Sequence, residues 1–359
     1  MAALSVTAFA QAQVTGGQHA FEYLNLSNSP HVSALGGIVV ANPDNDVNFI
    51  AQNPALLMPS MHTNIGLNYN IYYAGIGVMN MQYAHHVESI KTNFGFGVQY
   101  LNYGTFKQTD AAGLDYGDFR ANDFALNLTA SRQYLERWNY GASLKLANSK
   151  YFDKSSMGIF VDAGITYTDT ANLLTLGLVA KNIGYQVKAY TPGINEPMPF
   201  DLRFGITKKF KHLPFRLMVV AHHLYEWDVR YNNPADQQQN LLITDSSQMN
   251  QNKSYFADKL FRHFIFGGEI LLGKYLEISV AYNHMMRGEM GLDEKKGMAG
   301  FSYGAALVLP KMRIHYGRSH YSTVGAYNEL GINVNLNRWF GMGSFGDKIG
   351  WNKTYDPIM

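Results

Sequence analysis

Cysteine is absent from the 359 residues, so disulfides, thiolate metal sites and cysteine nucleophiles are excluded. Charge is scarce: Asp, Glu, Lys and Arg make up 16% of the chain, against roughly 25% in ordinary soluble domains. What charge there is nearly cancels, 29 basic residues against 27 acidic, which argues against nucleic acid as a partner because no basic stripe is left to neutralise phosphates. Long hydrophobic runs are missing too. Charges, Asn or Gly interrupt every apolar stretch before the ~18 to 20 residues that a membrane-crossing helix requires. The chain is rich instead in 24 Tyr, 21 Phe and 34 Gly, which argues against disorder, coiled coil and an ordinary cytosolic enzyme.

The first residues, Met1 to Ala12, are small and apolar and close on Ala10-Gln11-Ala12, an A-x-A cleavage pattern. Residues 1–12 read as the remnant of an export signal, with the mature chain expected to begin at Gln13.

From residue 61 onward the hydrophobic pattern alternates with a period of two. Ile65, Leu67, Tyr69 and Ile71 share one face, and Gly66, Asn68 and Asn70 the other. Tyr140, Ala142, Leu144 and Leu146 oppose Asn139, Ser143 and Lys145, and Leu276, Ile278 and Val280 oppose Glu277 and Ser279. A soluble sheet would carry Lys and Glu on its polar face. Here that face is mostly Gly, Asn, Ser and Thr, which suits a hydrated barrel interior, with the apolar face turned to lipid. About fourteen such strands are expected, starting near 61, 75, 91, 121, 137, 156, 172, 199, 214, 261, 274, 298, 311 and 326.

Loop parity supports the same reading. One set of connections (86–90, 132–136, 168–171, 208–213, 272–274, 309–311) is short, while the other includes the long segments 104–120, 184–198, 228–258 and 287–297. Short periplasmic turns and long outer loops are the asymmetry of outer-membrane barrels. The fold class expected is therefore all-β, a 14-stranded antiparallel transmembrane β-barrel over 61–340 in a bacterial outer membrane. Both termini are expected in the periplasm, with the long loops extracellular and residues 341–359 as a periplasmic extension.

Residues 13–60 do not alternate, yet carry Phe21, Tyr23, Leu24, Val32, Leu35, Val39, Val40, Phe49 and Ile50, too many apolar groups for a free tail. Gly36-Gly37, Asn42-Pro43-Asp44 and Asn53-Pro54 break the segment into turns, so it is expected to fill the barrel lumen as a plug. Its motifs are specific. Gly16-Gly17-Gln18, Phe21-Glu22-Tyr23-Leu24, Ala34-Leu35-Gly36-Gly37 and Gln52-Asn53-Pro54-Ala55-Leu56-Leu57 resemble the PorQ family of outer-membrane components of the Bacteroidetes type IX secretion system. Through it they resemble the wider group of PorV carriers and FadL-like transporters, whose hatch holds an Asn-Pro-Ala element inside fourteen strands. The resemblance implies a non-enzymatic anchor in a cell-surface attachment complex. Its implied partners are a PorZ-like surface protein, the sortase-like PorU, the PorV shuttle and outer-membrane lipopolysaccharide. The docking surface expected on that reading is the loop with Asn232, Asn233, Gln237, Gln238 and Asn240 around the apolar Leu241, Leu242 and Ile243.

No catalytic set, metal site or cofactor is expected. His85-His86 and His222-His223 are neighbours, and adjacent residues of a regular strand point to opposite faces. Asp44 and Asp46 approach carboxylate-ligand spacing, but the other oxygens of a calcium loop are not evident, so they read as a turn. The lumen charges Lys145, Asp162, Asp201, Arg203, Arg216 and Glu269, with Lys181, have mixed signs and are expected to pair with one another or with the plug. The alternative function is a FadL-like importer of hydrophobic small molecules. It predicts an apolar pocket beside the plug, where the anchor predicts none.

Overall fold

The computed structural model describes residues 19–229, 252–290, 297–322 and 325–356. The export-signal segment and the docking residues Asn232, Asn233, Gln237, Gln238, Asn240, Leu241, Leu242 and Ile243 lie outside the described residues. Fourteen strands follow one another: β1 (Asn64–Ile71), β2 (Gly77–Val87), β3 (Thr92–Thr109), β4 (Asp115–Tyr134), β5 (Trp138–Tyr151), β6 (Lys154–Asp169) and β7 (Leu174–Lys188), then β8 (Asp201–Lys209), β9 (Phe215–Ala221), β10 (Phe264–Leu272), β11 (Leu276–Asn283), β12 (Phe301–Val308), β13 (Met312–Ser322) and β14 (Gly325–Asn335). Each pairs antiparallel with its sequence neighbours. β1 pairs with β14 from Asn64 opposite Asn335 to Ile71 opposite Asn328, so the sheet is a closed barrel. In hydrocarbon no water can satisfy a backbone group, and closure leaves no edge unpaired. No helix among the described residues is long and apolar enough to cross a membrane.

The barrel is inverted relative to a soluble protein. Leu67 and Tyr69 are each 45% exposed, while Asn68 between them is 8% exposed. In β5 the lipid-side residues Tyr140, Leu144 and Leu146 are exposed and the lumen-side Ser143 and Lys145 are buried. Apolar groups outside and polar groups inside are the arrangement a bilayer selects.

Connections at the rim shared by the start of β1 and the end of β14 are short, at 88–91, 135–137, 170–173, 210–214, 273–275 and 309–311. The opposite, wide rim carries the connections 189–200, 222–263 and 284–300. Two expectations need correction there. Residues 104–120 are not a loop: β3 and β4, of 18 and 20 residues, continue as a hairpin to a turn at 110–114. Beyond the membrane a ribbon needs no lipid face, so hydrophobic alternation fades while pairing persists, held here by Lys107–Asp115 at 3.0 Å and the stacked rings of Phe106 and Phe119. The strand expected to start near 261 begins at Phe264, directly after a helix, α2 (Asn252–Arg262). A further short helix, α3 (His284–Glu289), stands after β11 where a loop was expected.

Residues 19–63 lie inside the barrel. Ser29 caps a five-residue helix, α1 (Pro30–Ala34), by accepting from the Val32 N–H, with Pro30 at its first turn. Short 3-10 turns follow at Val47–Ala51, Pro54–Leu56 and Pro59–Met61. Val32, Leu35, Val39, Val40 and Phe49 from this segment pack with Val179, Met218, Val220 and Ile265 of the wall in one buried cluster. The hydrophobic core thus lies in the lumen.

Leu128, 57% exposed on β4, tests the polarity of the wall. Leu128→Arg is expected to cost about 2–4 kcal/mol if this face meets the bilayer midplane. Urea unfolding in liposomes, followed by gel mobility, measures it, and an unchanged midpoint would place the face in water.

Candidate functional site

The predicted lumen charges form three buried ion pairs. Lys145 meets Asp162 at 2.5 Å, Arg203 meets Asp201 at 2.5 Å, and Arg216 meets Glu269 at 2.9 Å. Lys181 donates to the Ala51 carbonyl at 2.7 Å. Two of the pairs also grip the N-terminal segment. Arg203 donates to Asn25 at 3.2 Å and Gln52 at 3.4 Å, and Glu269 accepts from Asn42 at 3.0 Å and pairs with His31 at 2.7 Å.

Sequence reasoning passed over His31, Arg313 and His315, which complete this network. His31 Nδ1 lies 2.8 Å from Asp46 Oδ2, and Arg313 lies 2.9 Å from Asp44. A usable signal was present for two of them: Ile314 and Tyr316 face lipid, so the same register puts Arg313 and His315 in the lumen. Burial alone would lower the His31 pKa, but Asp46 and Glu269 outweigh it and hold the ring at about 10. Burial would likewise raise Asp44 and Asp46. Arg313 and Arg216 beside Asp44, and His31 beside Asp46, hold both well below the usual carboxylate range.

The residues of the plug motif sit against the wall at two places. Ala34 closes α1, its carbonyl accepting from Ser302 at 3.2 Å, and Leu35 is fully buried beneath it. Gly36 and Gly37 follow at φ +92°, where a side chain would be strained and a Cβ would run into Ile265 and the Tyr321 hydroxyl respectively. Asn53 caps the turn at Pro54–Leu56, accepting from Ala55 N at 3.0 Å, and donates to the Val40 carbonyl at 2.8 Å. The Pro54-Ala55 backbone approaches the wall at Gly141 and the Asn53 side chain approaches it at Gly164, where a Cβ would collide with them. The Ala55 carbonyl accepts from Asn139 and Thr166 of the wall.

Above the N-terminal segment, on the wide-rim side, lies a cavity of about 460 Å³. Its floor is Leu26, Gly36, Gly37 and Ile38, and its walls are Tyr72, Tyr73, Tyr321 and the methionines Met285, Met286 and Met290. Glu22, Asn25, Arg203, His223 and Asn283 give it polar points. The strand β9 ends at Ala221, so His222 and His223 escape the opposite-face rule: His223 takes φ +53° and its Nδ1 comes within 2.6 Å of His222 Nδ1. Burial raises the Glu22 carboxyl and lowers the His223 ring, which moves both toward their neutral forms. The cavity is therefore apolar with one buried guanidinium, Arg203, at its polar side.

No family model matches the chain, and no curated protein matches it in sequence. Among solved structures the CymD monoaromatic hydrocarbon channel is similar over 86% of this chain and 97% of that chain, with a TM-score of 0.51 and 13% identity. The Pseudomonas putida toluene transporter TodX is similar over 86% of this chain and 96% of that chain, with a TM-score of 0.48 and 14% identity. The likeness to CymD is one of fold. It lends no support to PorQ in particular.

The Asn53 side chain ties two turns of the segment together, and its removal leaves the buried Val40 carbonyl unpaired, at a cost of about 1–3 kcal/mol. Asn53→Gly is expected to loosen the segment and raise single-channel conductance in planar bilayers, where the parent chain should conduct little.

Proposed function

We propose that this chain is an outer-membrane channel protein that admits hydrophobic small molecules, with the cavity above the N-terminal segment as its binding site. The cavity carries the reading. An anchor needs no pocket, whereas an importer needs an apolar chamber beside its plug, open to the side from which ligand arrives. Pockets of a few hundred Å³ with aromatic walls and few polar points are the usual form of small-molecule sites. Three methionines on one wall suit ligands of varied shape, because the unbranched thioether side chain repacks easily. Arg203 and Asn25 at the polar side favour a ligand with one polar or anionic end. CymD, the monoaromatic hydrocarbon channel of similar fold, agrees with this class of cargo. In this reading the short-turn rim and both termini face the periplasm, and the wide rim faces outward.

The test is ligand binding and uptake. Met286→Trp fills the cavity from the wall and is expected to weaken binding of a hydrophobic fluorescent probe, and to slow its uptake into cells, by about tenfold, equivalent to ~1.4 kcal/mol. Equal uptake by the variant, with the barrel correctly folded, would remove the cavity from the function.

A second reading, the PorQ-like anchor of an attachment complex, is favoured by one observation. The β3–β4 hairpin projects past its neighbours and exposes Leu114 and Tyr116, 61% and 62% accessible, in a position to meet a surface partner. The partners on this reading are PorZ-like, with PorU, PorV and lipopolysaccharide in the wider assembly. Affinity capture from native outer membranes distinguishes the two. An anchor brings down a large surface protein that is lost when 236–252 is deleted, and an importer comes down without it.

A further inference from the structure

The network around α1 contains more negative charge than its own cations can neutralise. Asp44, Glu269 and Glu277 are linked through Arg216 and Arg313, and Asp46 joins them through His31, so among the described residues four carboxylates face two guanidinium groups and one imidazole. With His31 carrying its proton the cluster is left about one charge negative, and about two once that proton leaves, in a setting where an uncompensated charge is expensive. A divalent cation would balance it.

The donor set for such an ion is present. His31 on α1, Asp46 at the cap of the turn Val47–Ala51 and His315 on β13 are 4%, 0% and 1% exposed. One ligating atom from each lies within 4.8 Å of the other two. Asp46 Oδ2 is 2.8 Å from His31 Nδ1 and 3.9 Å from His315 Nε2. Those separations bracket the ~3.3 Å edge of a tetrahedron with metal–ligand bonds of about 2.0–2.1 Å. The surrounding hydrogen bonds aim two of these atoms inward. His31 Nε2 is held by Glu269 at 2.7 Å, the carboxylate–histidine arrangement that orients a ligating ring and leaves Nδ1 for the ion. Asp46 Oδ1 is occupied by Asn48 N at 2.9 Å, Asn48 Nδ2 at 2.8 Å and Asn333 Nδ2 at 2.9 Å, which leaves Oδ2 turned to the histidines. His315 Nε2 accepts from the Asn333 amide at 3.3 Å, a long bond that the ion would replace.

We infer that the lumen holds a divalent transition-metal ion, of which zinc best suits two imidazoles and a carboxylate, on His31 Nδ1, Asp46 Oδ2 and His315 Nε2. On binding, the ion takes the Nδ1 lone pair of His31 and the Nδ1 proton leaves to solvent, while the Nε2 proton stays on its bond to Glu269. The fourth position is left to water. The ion would clamp α1 and the turn at Asp46 to strand β13, a cross-link between the N-terminal segment and the wall. None of the three ligands lines the ligand cavity, so this site stands or falls apart from the proposed transport.

The test uses the full chain in detergent, stripped with a chelator and then dialysed against Zn²⁺ or Co²⁺. The result expected is about one metal per chain by mass spectrometry and, with Co²⁺, the visible d–d absorption of a four-coordinate site. His315→Gln removes one ligand while keeping the bulk and polarity of the side chain, and is expected to lower affinity at least about tenfold. A folded parent chain that retains no metal overturns the inference. Metal bound equally by parent and His315→Gln overturns it as well. The Co²⁺ spectrum of the parent decides the matter if the variant does not fold.

Discussion

Everything in this protein depends on how the wall meets the segment it encloses. A barrel standing in lipid must turn its polar side chains inward, and fourteen strands enclose a lumen too wide for those side chains to fill. Residues 19–63 supply the missing contents. They bring an apolar cluster around Val32, Leu35 and Phe49 to the inward-facing Val179, Val220 and Ile265, and they bring hydrogen-bonding groups to the buried Asn, Ser and Thr of the wall. Ser131 and Asn93 donate to the Leu57 carbonyl, Lys181 to Ala51 and Ser33 to Glu329, so the segment is fastened around the circumference rather than at one side.

The buried ion pairs serve this fit more through geometry than through net strength. Removing charges from water costs several kcal/mol per ion, and a pair recovers that only with good alignment and further hydrogen bonds. Glu269 shows the arrangement, meeting Arg216, His31 and Asn42 at once. Such a set tolerates one placement of the segment and penalises others, because a shift by one residue would leave several charges buried and unpartnered. Small side chains give the complementary freedom: Gly141 lets the Pro54-Ala55 backbone and Gly164 the Asn53 side chain come against the wall, and Gly36-Gly37 turn the chain under the wide rim.

The same packing creates the cavity. Its floor is the turn at Gly36 to Ile38 and its roof the segment after β11, so the chamber exists only where two distant stretches of chain fail to close on each other. A binding site built in this way inherits the stability of the lumenal packing beneath it, and the Met-rich wall above it remains the more adaptable side.

The period of two determined most of the architecture from sequence alone, because lipid outside and water or plug inside impose opposite demands on successive residues. The strands, the inward placement of Lys145, Asp162, Asp201, Arg203, Arg216 and Glu269, and the short-turn rim all follow from that one constraint. Where the constraint lapses, legibility lapses with it. The hairpin of β3 and β4 beyond the membrane kept its pairing but lost its lipid face, and read as loop. The convergence of His31, Asp46 and His315, and the cavity between Ile38 and Met286, were decided by the tertiary structure. Hydrophobic periodicity tells which way a side chain points, but not which side chain from a distant segment stands opposite it.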